Sequence, residues 1–206
     1  MESGNLWIYE DDYRKSGKSF ICGVDEAGRG PLAGPVFAAA VILPFGLDIE
    51  GLNDSKKISE KKREYLFDVI CEKALAFGIA SSSEKEIDDI NILNASLLAM
   101  KRAVEKLSVQ PDMILVDGNK TFDTDIDIKS LVKGDSLSAN IAAASILAKV
   151  SRDRFMLDLA EKYPQYMFEK HKGYPTKLHY ECVEANGISE VHRKSFFKKY
   201  KGGVLL

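Results

Sequence analysis

The sequence predicts an α/β fold in which a mixed sheet is layered with helices. Short apolar runs come first, and from about residue 59 onward helically spaced segments alternate with further short apolar runs. After about Lys162 the chain turns basic and aromatic-bearing, which predicts a helical C-terminal region added to that core. We read 1–18 as an N-terminal extension, 19–162 as the core and 163–206 as a basic helical region packed on it.

Each element has its own signal. Ser19 to Val24 is a short β-rich run, and after a glycine- and proline-rich loop Val36 to Leu43 is an apolar strand. Ser59-Glu60-Lys61-Lys62 has the form of a helix start with Ser59 as cap, and Leu66, Val69, Ile70 and Leu75 then recur at helical spacing as far as Ala76. Phe77 to Ser82 reads as a strand. Ile87 to Leu107 reads as an amphipathic helix with Leu93, Leu97, Leu98, Met100 and Val104 on or near one face. Met113 to Val116 is a buried strand ending at Asp117-Gly118-Asn119, and Ile126 to Val132 is a second one closed by Lys133-Gly134-Asp135. Ser136 to Ala160 follows as a long helix whose small-residue opening, Ala139 to Ile146, permits close packing on a sheet. Leu178 to Asn186, ended by Gly187, is a further helix.

Composition narrows the class. The chain has 206 residues, of which 45% are hydrophobic and 29% charged, as in ordinary soluble globular proteins. No run approaches the ~20 apolar residues of a membrane span, and Met1 to Asn5 lacks the basic and apolar regions of a secretory leader. A cytosolic protein is expected. Cys22, Cys71 and Cys182 are odd in number and scattered, so they read as reduced thiols, with Cys22 in the core. The net charge of −2 divides unevenly: residues 1–160 carry −6 and residues 161–206 carry +4. A basic tail permits a polyanionic partner.

Val24-Asp25-Glu26-Ala27-Gly28-Arg29-Gly30-Pro31 carries the first chemical signal, because two carboxylates leave an apolar run and lead into a glycine-flanked arginine. At a strand end, a continuing pleat puts Asp25 and Glu26 on opposite faces. A dinucleotide fingerprint is excluded, since the last glycine of Gly28-Arg29-Gly30-Pro31-Leu32-Ala33-Gly34 falls one residue too far and a strand follows. No Gly-Lys-Ser/Thr triplet closes a phosphate loop. Two possibilities remain, a hairpin turn with solvated acids or a metal site beside a nucleic-acid backbone clamp. Asp117 and Asp135 also follow short apolar runs. Four such acids suit a pair of hard divalent cations, Mg²⁺ or Mn²⁺, and two ions about 3.5 to 4 Å apart support phosphodiester cleavage.

The ordered set of motifs resembles the ribonuclease HII family: Asp25-Glu26-Ala27-Gly28-Arg29-Gly30-Pro31, Asp54-Ser55-Lys56, Val116-Asp117-Gly118, Lys133-Gly134-Asp135, Ala142 to Val150, and His171-Lys172-Gly173-Tyr174-Pro175-Thr176. The resemblance runs from about residue 20 to about 197. It implies a ribonuclease H-like fold, a mixed five-stranded sheet flanked by helices with a C-terminal helical extension. It also implies endonucleolytic cleavage of RNA in RNA·DNA hybrids and at single ribonucleotides in duplex DNA, leaving 5′-phosphate and 3′-hydroxyl ends. The family's metal-binding catalytic quartet falls on Asp25, Glu26, Asp117 and Asp135, its ribonucleotide-sensing loop on Gly28, Arg29 and Gly30, and its junction-sensing tyrosine on Tyr174. Small glycines let main-chain groups approach the sugar and test for a 2′-hydroxyl. Lys56, Lys57, Lys172 and Lys177 are candidate contacts to the nucleic-acid backbone. A monomer is expected.

Each of these residues also has a plainer explanation. Asp135 serves as a helix N-cap, Asp117-Gly118 as a turn, and Tyr174 as a loop anchor. Asp123-Thr124-Asp125-Ile126-Asp127 imitates the start of a calcium loop, but Ile128 stands where glycine is needed and Gly134 where glutamate is needed. His171, His179 and His192 show no tight ligand cluster and read as surface or capping residues rather than zinc ligands. Lys149 and Asp153 form an i,i+4 ion pair. Phe196-Phe197 reads as packing on the body ahead of a sliding-clamp contact, and no complete clamp-binding peptide is visible.

Overall fold

The computed structural model describes residues 5–52, 58–197, 200–201 and 204–205. Lys56 and Lys57, with the Asp54-Ser55-Lys56 motif, lie outside the described residues. Helix α1 (Ile8–Lys15) precedes strand β1 (Ile21–Ala27), which pairs with β2 (Val36–Ile42). Helix α2 (Glu60–Lys73), β3 (Ala76–Ser82), α3 (Glu84–Glu105), β4 (Met113–Asp117), β5 (Ile128–Leu131) and the long α4 (Ala139–Lys162) follow. The chain ends in α5 (Phe168–His171), α6 (Lys177–Asn186) and the short pair β6 (Tyr200–Lys201) and β7 (Val204–Leu205). Strand order in the main sheet is β3-β2-β1-β4-β5. β1 with β2, and β2 with β3, are antiparallel; β1 with β4, and β4 with β5, are parallel. This is the mixed sheet that the alternating runs predict, with the five strands and flanking helices that the resemblance implies.

Alternation along the strands divides the core. Cys22, Val24, Ala38, Ala40, Ile114 and Val116 meet α3 on one face. Ala27, Ala39 and Val41 meet α2 and α4 on the other. In α2, Ser59 caps the helix by accepting from the Lys62 amide, while Leu66 and Ile70 are fully buried; each such side chain contributes roughly 1.5 to 3 kcal/mol. The helix stops at Lys73 because Ala74 is extended, so Leu75 falls outside it and is half exposed.

Small residues set the layer spacing. A β-carbon added to Gly23 would stand 2.1 Å from the Asn140 carbonyl carbon, so β1 and the start of α4 touch backbone to backbone. Gly23→Ala must push α4 off the sheet, and we expect a loss of at least about 1 to 3 kcal/mol, read as a lowered Tm. An unchanged Tm would contradict this packing. On the opposite face Gly78 meets the Ala103 carbonyl in the same way. That contact explains a difference from the expected α3 face: Ala95, Ala99 and Ala103 are fully buried, whereas Leu93, Leu97 and Leu98 lie further out. Helix α3 also begins earlier than its periodicity suggests, at a capping box between Ser83 and Glu86, and is kinked at Asn91, whose φ is 65°.

The N-terminal extension contains an element that sequence periodicity does not reveal. Glu10 on α1 is buried at the start of α4, where it accepts from the Ser138 hydroxyl (2.6 Å) and the Asn140 side-chain amide (3.2 Å). Burial raises its pKa. A carboxylate there also complements the positive end of the helix.

Candidate active site

β1 extends beyond the expected Val24, so Asp25 and Glu26 lie within it, opposite Ala39 and Ala38 of β2. The pleat sends them to opposite faces. Asp25 turns towards α4, where the Ser145 side chain hydrogen-bonds to it, and the Glu26 amide donates to its carboxylate at 2.7 Å. Glu26 turns the other way and accepts from Arg29 at 3.3 Å. Asp117 ends β4, the strand beside β1, and accepts from the Gly134 amide at 2.6 Å. That bond draws in the 3₁₀ turn Gly134–Ser136, which carries the buried Asp135. Asp135 is not the cap of α4; Ser138 is, accepting from the Ile141 amide.

The electrostatics reflect crowding. Burial, then the charges of Glu26 and Asp117, hold the Asp25 carboxyl well above its ordinary range. Burial also raises Glu26, opposed by the adjacent Arg29 charge and reinforced by Asp117. Like charges sharing a desolvated site raise one another. These are hard oxygen donors, of the type that suits Mg²⁺ or Mn²⁺. Among the described residues, no three carboxylate, imidazole or thiol groups close on a single ion in this conformation.

Beside the acids lies a cavity of about 340 Å³ lined by Glu26, Ala27, Gly28, Arg63, Ser145, Ile146, Lys149 and Tyr174. Two other cavities of about 410 Å³ each hold none of the four acids. Tyr174 is 38% exposed and borders the loop: a β-carbon on Gly30 would be 3.8 Å from its ring. Lys149 and Arg152 lie over that ring. Sequence reasoning missed Arg63, Ser145 and Lys149 as lining residues. Ser145 passed for a small packing residue, and Lys149 for the Asp153 ion pair that it does form, at 2.6 Å. Their i,i+4 spacing on α4 was the available signal.

Of the candidate lysines, the two within the described residues, Lys172 and Lys177, do not line this cavity. The Lys172 ammonium donates to the Glu169 carbonyl, and Lys177 is exposed on α6 beside Glu181 at 3.6 Å. Phe196 packs against the α3 side of the core and Phe197 against the C-terminal cluster. Cys22, Cys71 and Cys182 are free, and burial pushes the Cys22 thiol up to about 12.

The expectation for the three histidines needs correction. They are buried together: His171 stacks on His179 at 4.3 Å, and the His179 and His192 Nε2 atoms are 3.2 Å apart. Sequence separation hid a cluster that α6 and the 191–193 segment close. Desolvation lowers all three, His179 and His192 to about 4. Because these folded-state values lie below the unfolded one near 6.5, stability is full above pH 6.5. It declines as pH falls towards 4, at roughly 1.4 kcal/mol per pH unit for each histidine that the unfolded chain protonates first. Urea melts at pH 7 and pH 5 measure this, and equal stability at both would contradict it.

A sequence profile of the family described as ribonuclease HII matches residues 22–199. A ribonuclease HII of Caldicellulosiruptor bescii is 52% identical over 197 residues, covering 96% of each chain. One from Caldicellulosiruptor saccharolyticus is 54% identical over 194 residues, 94% of this chain and 95% of the relative. Among solved structures, the ribonuclease H2 of Pyrococcus horikoshii superposes with a TM-score of 0.72 at 26% identity, covering 86% of this chain and 93% of the other. A match spanning the sheet, the acids and the C-terminal helices shows that the chain belongs to the ribonuclease HII family, endoribonucleases that act on the RNA of RNA·DNA hybrids.

Proposed function

We infer that this enzyme cuts both long RNA·DNA hybrids and single ribonucleotides embedded in duplex DNA, using Mg²⁺ or Mn²⁺ and leaving 5′-phosphate and 3′-hydroxyl ends. The observation that carries the inference is the crowding of three carboxyl groups, Asp25, Glu26 and Asp117, of which Glu26 lines a cavity also walled by Gly28 and Tyr174. Asp25, Glu26, Asp117 and Asp135 hold two ions, because an all-oxygen donor set fits a hard cation and positive charge offsets their repulsion. Bound there, the ions supply activation of the attacking water and stabilisation of the leaving 3′-oxygen.

The chain's own residues place the substrate. Gly28, Arg29 and Gly30 bring main-chain groups against the sugar, where a 2′-hydroxyl separates RNA from DNA. Tyr174 stacks on the neighbouring deoxyribose. Arg63 and Lys149 face the backbone phosphates in the cavity, and Lys172 and Lys177 extend the cationic surface outward. The protein acts as a monomer in the cytosol, where its thiols stay reduced. No helix among the described residues is long and apolar enough to cross a membrane. A sliding clamp could engage Phe196 and Phe197 only after their release from the body.

Chelation tests the metal requirement. Cleavage of a long hybrid is expected to stop in EDTA and to return with Mg²⁺ or Mn²⁺. Cleavage that persists in EDTA would overturn it.

A further inference from the structure

Two arginines that the preceding chemistry does not use, Arg152 and Arg193, are fully buried. Burying a cation costs several kcal/mol unless hydrogen bonds compensate, and among the described residues neither forms an ion pair within 4 Å. Their donors go to one stretch of main chain. Arg193 donates Nη2 to the Gly28 carbonyl (2.7 Å), Nη1 to the Arg29 carbonyl (3.1 Å) and Nε to the Gly34 carbonyl (2.8 Å). Arg152 donates to the carbonyls of Ala33 (3.1 Å), Pro35 (3.1 Å) and Lys172 (3.0 Å), so it ties the same loop to the segment carrying Tyr174.

The peptide geometry fixes what this does to the loop. Among the described residues no peptide bond is cis, and in a trans peptide the N–H points opposite to the C=O. Gly28 and Arg29 turn their carbonyls inward to Arg193, so the amides of Arg29 and Gly30 turn outward. Neither amide donates to a main-chain carbonyl among the described residues. The Tyr174 ring borders this part of the loop, 3.8 Å from the β-carbon position of Gly30. A guanidinium on the carbonyl side also polarises those peptides and strengthens their N–H groups as donors. Arg193 stays protonated at neutral pH, since burial, with Arg152 nearby, lowers it only to about 9.

Arg193 is itself held in place. Its amide donates to the Leu32 carbonyl, and the Gly34 amide donates to Val191, so residues 191–193 run beside 32–34. Asp88 on α3 accepts from the amides of Lys194 and Ser195 and so anchors the next turn.

We propose that Arg193, seconded by Arg152, is a positioning residue for sugar discrimination: it turns the Arg29 and Gly30 amides outward as donors to the 2′-hydroxyl of a ribonucleotide. This rests on the loop's reading as the ribonucleotide sensor. A C-terminal residue thereby sets the specificity of a loop about 165 positions earlier in the chain.

The test uses the ratio of two dissociation constants, for an all-deoxy duplex and for the same duplex with one ribonucleotide, measured by fluorescence anisotropy in an Asp117→Asn background. That ratio does not depend on the fraction of protein folded. It is expected to exceed about five with Asp117→Asn alone, and to fall at least about fivefold, towards one, when Arg193→Lys keeps the charge but removes the fork. A ratio above one that survives Arg193→Lys would overturn the positioning role only. A ratio of one in Asp117→Asn alone would overturn the sensor reading beneath it. If Arg193→Lys does not fold, amide hydrogen exchange on the metal-free wild type decides: Arg29 and Gly30 should be protected more by the ribonucleotide duplex than by the all-deoxy duplex. Equal protection would refute the proposal.

Discussion

Asp117→Asn is expected to lower cleavage of a long hybrid by on the order of 10³-fold or more while substrate affinity changes by less than about threefold. The substitution is nearly isosteric, and the new side chain still offers an oxygen to the Gly134 amide, so the β4 end and the turn carrying Asp135 keep their places. It removes one of the negative charges that, after burial, raise the pKa of Asp25 and Glu26. A cation then has a weaker site, whereas the loop, Tyr174 and the cationic cavity wall are untouched. Cleavage rate and binding by anisotropy, measured on the same preparation, separate the two effects. Near-normal cleavage would remove Asp117 from the catalytic group, and an equal collapse of binding would show that it holds substrate rather than metal.

Tyr174→Ala is expected to reduce incision at a single ribonucleotide by roughly 5- to 150-fold, the range implied by the loss of about 1 to 3 kcal/mol of stacking. On a long hybrid the loss should stay below about threefold, because many ribonucleotides then present themselves and no single junction must be read. The ring is exposed, and the hydrogen bonds that build this segment use its main chain: the Tyr174 amide donates to His171, and the His179 ring meets its carbonyl. Removing the ring therefore spares the fold. Parallel kcat/KM values for the two substrates measure the effect, and equal losses on both would reject junction sensing.

How much of this was legible in the sequence varies with the range of the interactions. Apolar runs located all five strands of the main sheet, and Ser59 and Gly187 marked helix ends, because these signals are local. The layer spacing was only half visible. Ala139 to Ile146 announced close packing, but the matching part of Gly23 and Gly78 appears only when a β-carbon at either site is seen to strike a helix backbone. Helix α1 was missed because what secures it, Glu10 against Ser138 and Asn140, spans almost 130 residues. The candidate acids could be named from motifs, yet the crowding that raises Asp25 depends on the parallel pairing of β1 with β4. Arg152 and Arg193 carried no sequence signal, since their partners are carbonyl oxygens that every residue possesses. The histidines were misread for a related reason: α5, α6 and the 191–193 segment bring together rings whose spacing in the chain suggests no cluster.

Incision mapping at nucleotide resolution tests the central claim most directly. The substrate is a duplex of DNA with one ribonucleotide, compared with its all-deoxy counterpart in the presence of Mg²⁺ or Mn²⁺. The expected result is a single cut at the ribonucleotide, with a 3′-hydroxyl on one fragment and a 5′-phosphate on the other, and no cut in the all-deoxy duplex. An intact ribonucleotide duplex, or equal cutting of both duplexes, would contradict a site in which carboxylate-held metal, the Gly28-Arg29-Gly30 loop and Tyr174 act together on one ribose.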